Sequence, residues 1–189
     1  QSVTATADGN LWIAELTGLP EAGEVQYRVR ADKRTGKTHS FRSGVGWGES
    51  FRFAVIGDTH SGESTHAELV AAMVSDEPDF LIHIGDMVAA PDEQQAWQQF
   101  FATEAALFAR APIFPVVGHH DRGDTGLYEH YWQLDRWAYG QPHYVRDLGH
   151  VRLAVATQGG CLVTLARLLR LRPLPPSLMP TVDGALCEG

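Results

Sequence analysis

Three short stretches carry residue types that bind metal ions and move protons. They are Gly57-Asp58-Thr59-His60, Gly85-Asp86 and Gly118-His119-His120-Asp121. Each follows an apolar run: "FRFAVI", "DFLIHI" and "PIFPVV". Carboxylate oxygens together with imidazole nitrogens suit divalent zinc, manganese or iron. A glycine ahead of each cluster lets the backbone turn sharply and approach a ligand closely. A single Asp after Gly is ordinarily a turn or a helix cap. Three strand ends in order, each closing on such residues, point instead to one shared site. Adjacent histidines cannot face the same way, so His119 and His120 have different tasks. Eight of the nine histidines lie between His60 and His150. His83, inside the second apolar run, reads as a core residue, and His66 and His130, on helices, as surface residues.

The elements that must position these residues follow from periodicity. The three apolar runs are continuous rather than alternating, as in strands buried on both faces. Between the first two lies "THAELVAAMVSDE", a helix capped by Ser64 or Thr65 and ending before Pro78. Between the second and third lies "PDEQQAWQQFFATEAALFAR", where Asp92 and Gln95 have capping-box spacing. Trp97, Phe101, Ala105 and Phe108 fall near one face of this helix. "YEHYWQLDRWA" reads as helical, and "HYVRDLGHVRLAVA" as a hairpin turning near residues 147–149. The order β-α-β-α-β implies parallel strands covered by helices. Ligands in that architecture sit beyond the carboxyl ends of the strands, which puts all three clusters on one edge.

Ahead of this unit, residues 1–46 alternate and turn. Val25, Tyr27 and Val29 interleave with Gln26, Arg28 and Arg30, the period of a half-buried strand. The pattern resembles the last strands of a fibronectin type III-like domain, with Tyr27 near its tyrosine corner. "GVGWGES" is a Gly-rich linker. Residues 158–189 differ again: Leu-, Arg- and Pro-rich, with four prolines between 173 and 180 and no acidic residue between Asp147 and Asp183. The composition suggests a poorly ordered or loosely packed segment, to which the sequence assigns no structural role.

The chain has 189 residues and a formal net charge of −8, with 44% hydrophobic residues. That charge argues against a broad phosphate-backbone surface for nucleic acid. It permits a phosphate site in which metal ions supply local positive charge. No run reaches bilayer-spanning length, and no basic-then-apolar leader opens the sequence. Cys161 and Cys187 form neither a metal-ligand pair nor a disulfide framework.

"GDTH … GDMV … GHHD", over residues 52–157, resembles the calcineurin-like metallophosphoesterase superfamily. The preceding β-module makes the chain similar to the purple acid phosphatase branch. The resemblance implies an α/β fold: the N-terminal half of a layered β-sheet domain with flanking helices (47–157), preceded by a partial antiparallel module (1–46) and followed by an atypical tail (158–189). It implies a hydrolase of phosphate mono- or diesters with two divalent metal ions (Mn, Zn or Fe), in which a metal-bridged hydroxide attacks phosphorus. Small phosphate esters are the implied partners, and the fibronectin-like module implies a secreted or periplasmic setting. Position by position, Asp58 and His60 would bind the first metal, Asp86 would bridge both, and His119 would bind the second. His120 would act as general acid beside the phosphate, with Asp121 holding its tautomer.

Three departures follow from the same comparison. His119 stands where the family has Asn, and imidazole cannot copy an amide that serves metal and phosphate at once. Ala89 occupies the position of the tyrosinate of purple acid phosphatases, so Gly-Asp-x-His ligation is the better pattern. No Gly-His-x-His follows residue 121, and Thr157 and Gln158 stand where an Asp is usual. The alternative is therefore a truncated, catalytically incompetent metal-binding fragment of such an enzyme; the tail from about residue 158 is either not native family sequence or a real but divergent end, and its composition favours the first.

Overall fold

The computed structural model describes residues 1–133 and 144–155, and the backbone alone at 137–138, 141–142, 156–157 and 164–170. The N-terminal region is built of short antiparallel pairs. β1 (Thr6–Asp8) pairs with β2 (Leu11–Ile13). β3 (Glu24–Tyr27), β4 (Arg30–Ala31), β5 (Arg34–Thr35) and β6 (His39–Arg42) form one long hairpin, β3 on β6 and β4 on β5. The alternation read from the sequence holds at Val25 and Tyr27, which are half-buried, and stops at Val29, which is 65% exposed. Tyr27 makes no tyrosine-corner bond. Its hydroxyl donates instead to the carbonyl of Ala109 at 2.9 Å, in the unit that follows.

That unit opens with β7 (Phe53–Ile56), followed by α1 (Glu63–Asp76), β8 (Phe80–His83), α2 (Gln94–Phe108) and β9 (Ile113–Pro115). The strands form a parallel sheet in sequence order, with Ile56 opposite His83 and His83 opposite Pro115. β8 is buried at every position because layers cover both faces. On one face Leu81 packs with Ile56, Val70, Leu107 and Ala111 under the two helices. On the other, Phe80 and Ile82 meet Val116, Tyr144, Leu153 and Val155. Each of these larger side chains contributes roughly 1.5–3 kcal/mol by leaving water.

The second layer comes from the chain beyond α3 (Leu127–Trp132). After β10 (Trp137–Ala138) and β11 (Gln141–Pro142), β12 (Tyr144–Leu148) and β13 (Val151–Thr157) form the expected hairpin, turning at Gly149. β14 (Thr164–Arg170) then pairs antiparallel with β13 over seven residues. Part of the tail is thus a strand: where the sequence shows no clean periodicity, the edge of β13 offers backbone partners. The rest of residues 158–189 lies outside the described residues.

Both helix starts differ from expectation. α1 begins after Gly62, whose left-handed backbone (φ 74) turns the chain in, and whose carbonyl accepts from His66 N–H. Ser64 and Thr65 fall inside the first turn rather than capping it. α2 is preceded by Glu93 with no side-chain cap. Asp92 forms no capping box because its carboxylate is committed to Thr125, whose N–H and hydroxyl both donate to it at 2.8 Å. The buried face of α2 is Trp97, Phe100, Glu104 and Leu107, one residue off the predicted stripe after Trp97.

Candidate active site

The parallel register brings all three motif loops to one edge of the sheet, as the sequence implied. Gly85 and Gly118 make their close approach possible. A Cβ on Gly85 (φ 99) would fall on Gly118, and one on Gly118 would fall on the backbone N of Asp86. Asp58 and Asp86 both adopt the left-handed region, φ 57 and 54, where Asp is tolerated better than most residues. The first loop is laced to the second by backbone bonds. Asp58 N–H donates to Gly85 O at 3.0 Å, and the N–H groups of Thr59 and His60 donate to Asp86 O at 2.9 and 3.1 Å.

Asp58, His60, Asp86 and His120 converge on this edge. Asp58 Oδ1 lies 2.9 Å from His60 Nε2. His60 stacks on His120 with ring centroids 4.3 Å apart. His120 N–H donates to Asp86 Oδ1 at 2.7 Å. His119 is exposed, its ring 5.4 Å from that of His120 and almost perpendicular to it. Asp58 keeps 79% of its side chain exposed, so the edge is open to solvent and to a ligand.

Asp121 departs from its expected task. It is fully buried, and its two oxygens accept the N–H groups of Asp86 and Gly118 (2.8 Å each), Met87 (2.7 Å) and Val88 (3.4 Å). None of these bonds reaches the His120 ring. The reason is backbone accounting: the second loop turns its amides inward, and buried donors need an acceptor. Burial pushes the Asp121 carboxyl above its usual range, against the opposing pull of the amides.

Sequence reasoning missed two polar pairs behind the edge. His66 is buried, not on the surface, with Nε2 2.8 Å from Glu104 Oε1. Glu104 has no exposure, and its Oε2 lacks a partner among the described residues. Its place on the Trp97–Phe100–Leu107 stripe was the available signal. His83, correctly read as core, lies 3.1 Å from Thr59 Oγ1 through Nε2, and burial lowers its pKa to about 3. A groove of about 420 Å³ opens between α1 and α2, lined by Thr59, His60, Glu63, His66, Glu93 and Phe100 among others.

The donor chemistry at the edge fits a divalent cation: two carboxylates and an imidazole from two strand ends. Their arrangement is not a closed cage. Among the described residues no group of three or more His, Cys, Asp or Glu side chains is placed to hold a metal ion. Asp58 and His60 satisfy one another instead.

A model of the calcineurin-like phosphoesterase family matches residues 51–174. The chain belongs to that family. The match extends past residue 157 and takes in β14. A solved structure of purple acid phosphatase isolated from yellow lupin (Lupinus luteus) seeds shares the fold, with a TM-score of 0.50 and 19% identity. The similarity covers 64% of this chain and 26% of the lupin chain, so this phosphoesterase-family chain spans about a quarter of that enzyme. No curated protein matches it in sequence. The family is one of phosphoesterases. No helix among the described residues is long and apolar enough to cross a membrane.

Proposed function

We propose that the open sheet edge is a metal-dependent site for hydrolysis of phosphate mono- or diesters. The observation that carries this reading is the convergence of Asp58, His60, Asp86 and His120 at the carboxyl ends of parallel strands. Asp58, His60 and Asp86 would hold a first divalent ion, and Asp86 with His119 a second. Bound there, such ions supply Lewis-acid polarisation of the phosphoryl oxygens and an activated water. The chain's own part is orientation and proton supply. His120 is fixed at its backbone by Asp86 and flanked by the His60 and His119 rings. From that position its imidazole would donate a proton to the departing alkoxide. Asp121 contributes at one remove, by locking the amides of the second and third loops.

The test is turnover of a chromogenic phosphate ester with added manganese or zinc, alongside metal content. Two metals per chain, with turnover abolished in Asp86→Ala, support the reading. Metal uptake without turnover would favour a second reading, a metal-binding module without activity. One observation favours that second reading: no three-donor cluster is preformed among the described residues.

A further inference from the structure

We propose that His83 is a positioning residue, clasping the first and second motif loops together through Thr59 and Gly85 and so setting how Asp58 and His60 stand relative to Asp86. This rests on the phosphoesterase reading of the edge. His83 ends β8 with no solvent exposure, two residues before Gly85. Its Nδ1 accepts the N–H of Gly85 at 3.3 Å. A backbone amide can only donate, so Nδ1 carries no proton and the neutral ring holds its proton on Nε2. Nε2–H then donates to Thr59 Oγ1 at 3.1 Å. The Thr59 hydroxyl, having accepted, sends its own proton to the Met87 carbonyl at 3.3 Å, which can only accept. The protons of the whole chain, Gly85 to His83 to Thr59 to Met87, are thus assigned by its two ends.

The placement matters because of its neighbours. Thr59 stands between Asp58 and His60, and Met87 follows Asp86. The chain therefore joins both ligand-bearing loops from beneath, on the side where Phe100 meets the His83 ring edge-on at 5.5 Å. A cationic His83 would leave Nδ1–H facing another donor. Burial, with His66 adding to it, keeps the ring neutral. Partners of this kind behind metal ligands typically govern affinity by 10- to 100-fold.

Two measurements decide the matter. In the metal-free chain, nitrogen NMR of His83 should show the Nε2–H tautomer, unchanged between pH 8 and pH 5. An Nδ1–H tautomer, or titration in that interval, overturns the clasp. Manganese and zinc affinity is then compared for the parent, Thr59→Ser, Thr59→Val, His83→Phe and the Thr59→Val/His83→Phe pair. The expected result is a weakening of roughly 10- to 100-fold for Thr59→Val and His83→Phe. Thr59→Ser, which keeps the hydroxyl, should stay within about 3-fold, and the double variant should be no weaker than His83→Phe, since both cut one chain. Where His83→Phe fails to fold, the Ser and Val variants carry the comparison. Parental affinity in folded Thr59→Val overturns the proposal. A parent chain that takes up neither ion overturns the phosphoesterase reading, and the tautomer then decides the clasp by itself.

Discussion

Asp58 and Asp86 close the first two parallel strands with left-handed backbones, and the Asp58 carboxylate is largely exposed at the molecular edge. Asp121, after the third strand, has no exposure and spends both oxygens on four backbone amides. The three residues share a type and a sequence setting and divide into two tasks. Asp58 Oδ1 meets His60 Nε2 and Asp86 Oδ1 accepts the His120 N–H, both on the side of the edge that is open to solvent. The inward one satisfies donors that the tight loops have turned away from water, which is a condition for the outward pair to be held at all. An aspartate next to a candidate catalytic histidine is therefore not by itself an orienting partner for that histidine. The destination of its oxygens decides, and here it is the backbone.

The contrast can be broken by substitution, judged first on unfolding free energy. Asp121→Ala should have the largest effect, about 3 kcal/mol or more in urea denaturation, because several buried N–H groups lose their acceptor together. A loss below about 1 kcal/mol would show that water replaces the carboxylate and that the inward task is dispensable. Gly118→Ala should cost about 2 kcal/mol, since the new methyl would fall on the backbone N of Asp86 as well as on its carboxylate, and the backbone cannot swing away. The third loop would be pushed off the second, and metal uptake should fall with stability.

Third in size is a pH effect. The folded His83 pKa near 3 lies below the ordinary 6.5. Between those values the unfolded chain binds more protons, so the contribution is fully present above pH 6.5 and is lost as pH falls toward 3. The slope is at most about 1.4 kcal/mol per pH unit. Comparing urea midpoints at pH 7 and pH 5 should show a smaller drop in His83→Phe than in the parent.

Asp58→Asn should change stability by less than about 0.5 kcal/mol, as expected of an exposed side chain. It should nonetheless lower metal affinity by roughly 100-fold, at the upper end of the range typical of outer partners. Equal stability losses for Asp58→Asn and Asp121→Ala would erase the division between the two tasks. The smallest effect belongs to Asp92, whose carboxyl is held below its ordinary value of 3.8 chiefly by the Thr125 N–H, then by its hydroxyl. That contribution is present above the ordinary value and lost as pH falls through the lower folded one. Acid titration of Asp92→Asn should accordingly unfold over a slightly shallower pH range than the parent.

Much of this was legible beforehand. Continuous apolar runs, two ending in Gly-Asp and the third in Gly-His-His-Asp, gave the parallel strands, and their order gave the shared edge, because a parallel sheet delivers every strand's carboxyl end to one side. The family followed from the same three motifs. The hairpin at Tyr144–Leu148 and Val151–Thr157 was legible too, as two strands turning near residues 147–149. His66 was not legible. A histidine in the first turn of a helix reads as a surface residue, and only the packing of α1 on α2 buries the ring against Glu104. Asp92 was read locally as a cap, yet its partner is Thr125, 33 residues away. β14 was hidden for a similar reason, since a strand that completes another's edge need not carry its own alternation.

The sequence by itself determined which residues could bind a cation and that three of its loops meet. Spacing and hydrophobic period are local properties, and the chirality and short connections of parallel sheets turn them into a topology. What only the tertiary structure decided is the direction each polar side chain faces. That choice follows from where buried amides remain unpaired, which depends on contacts between loops remote in sequence. Asp121 turned inward, His83 bridging two loops and Asp58 left open are three outcomes of that one accounting.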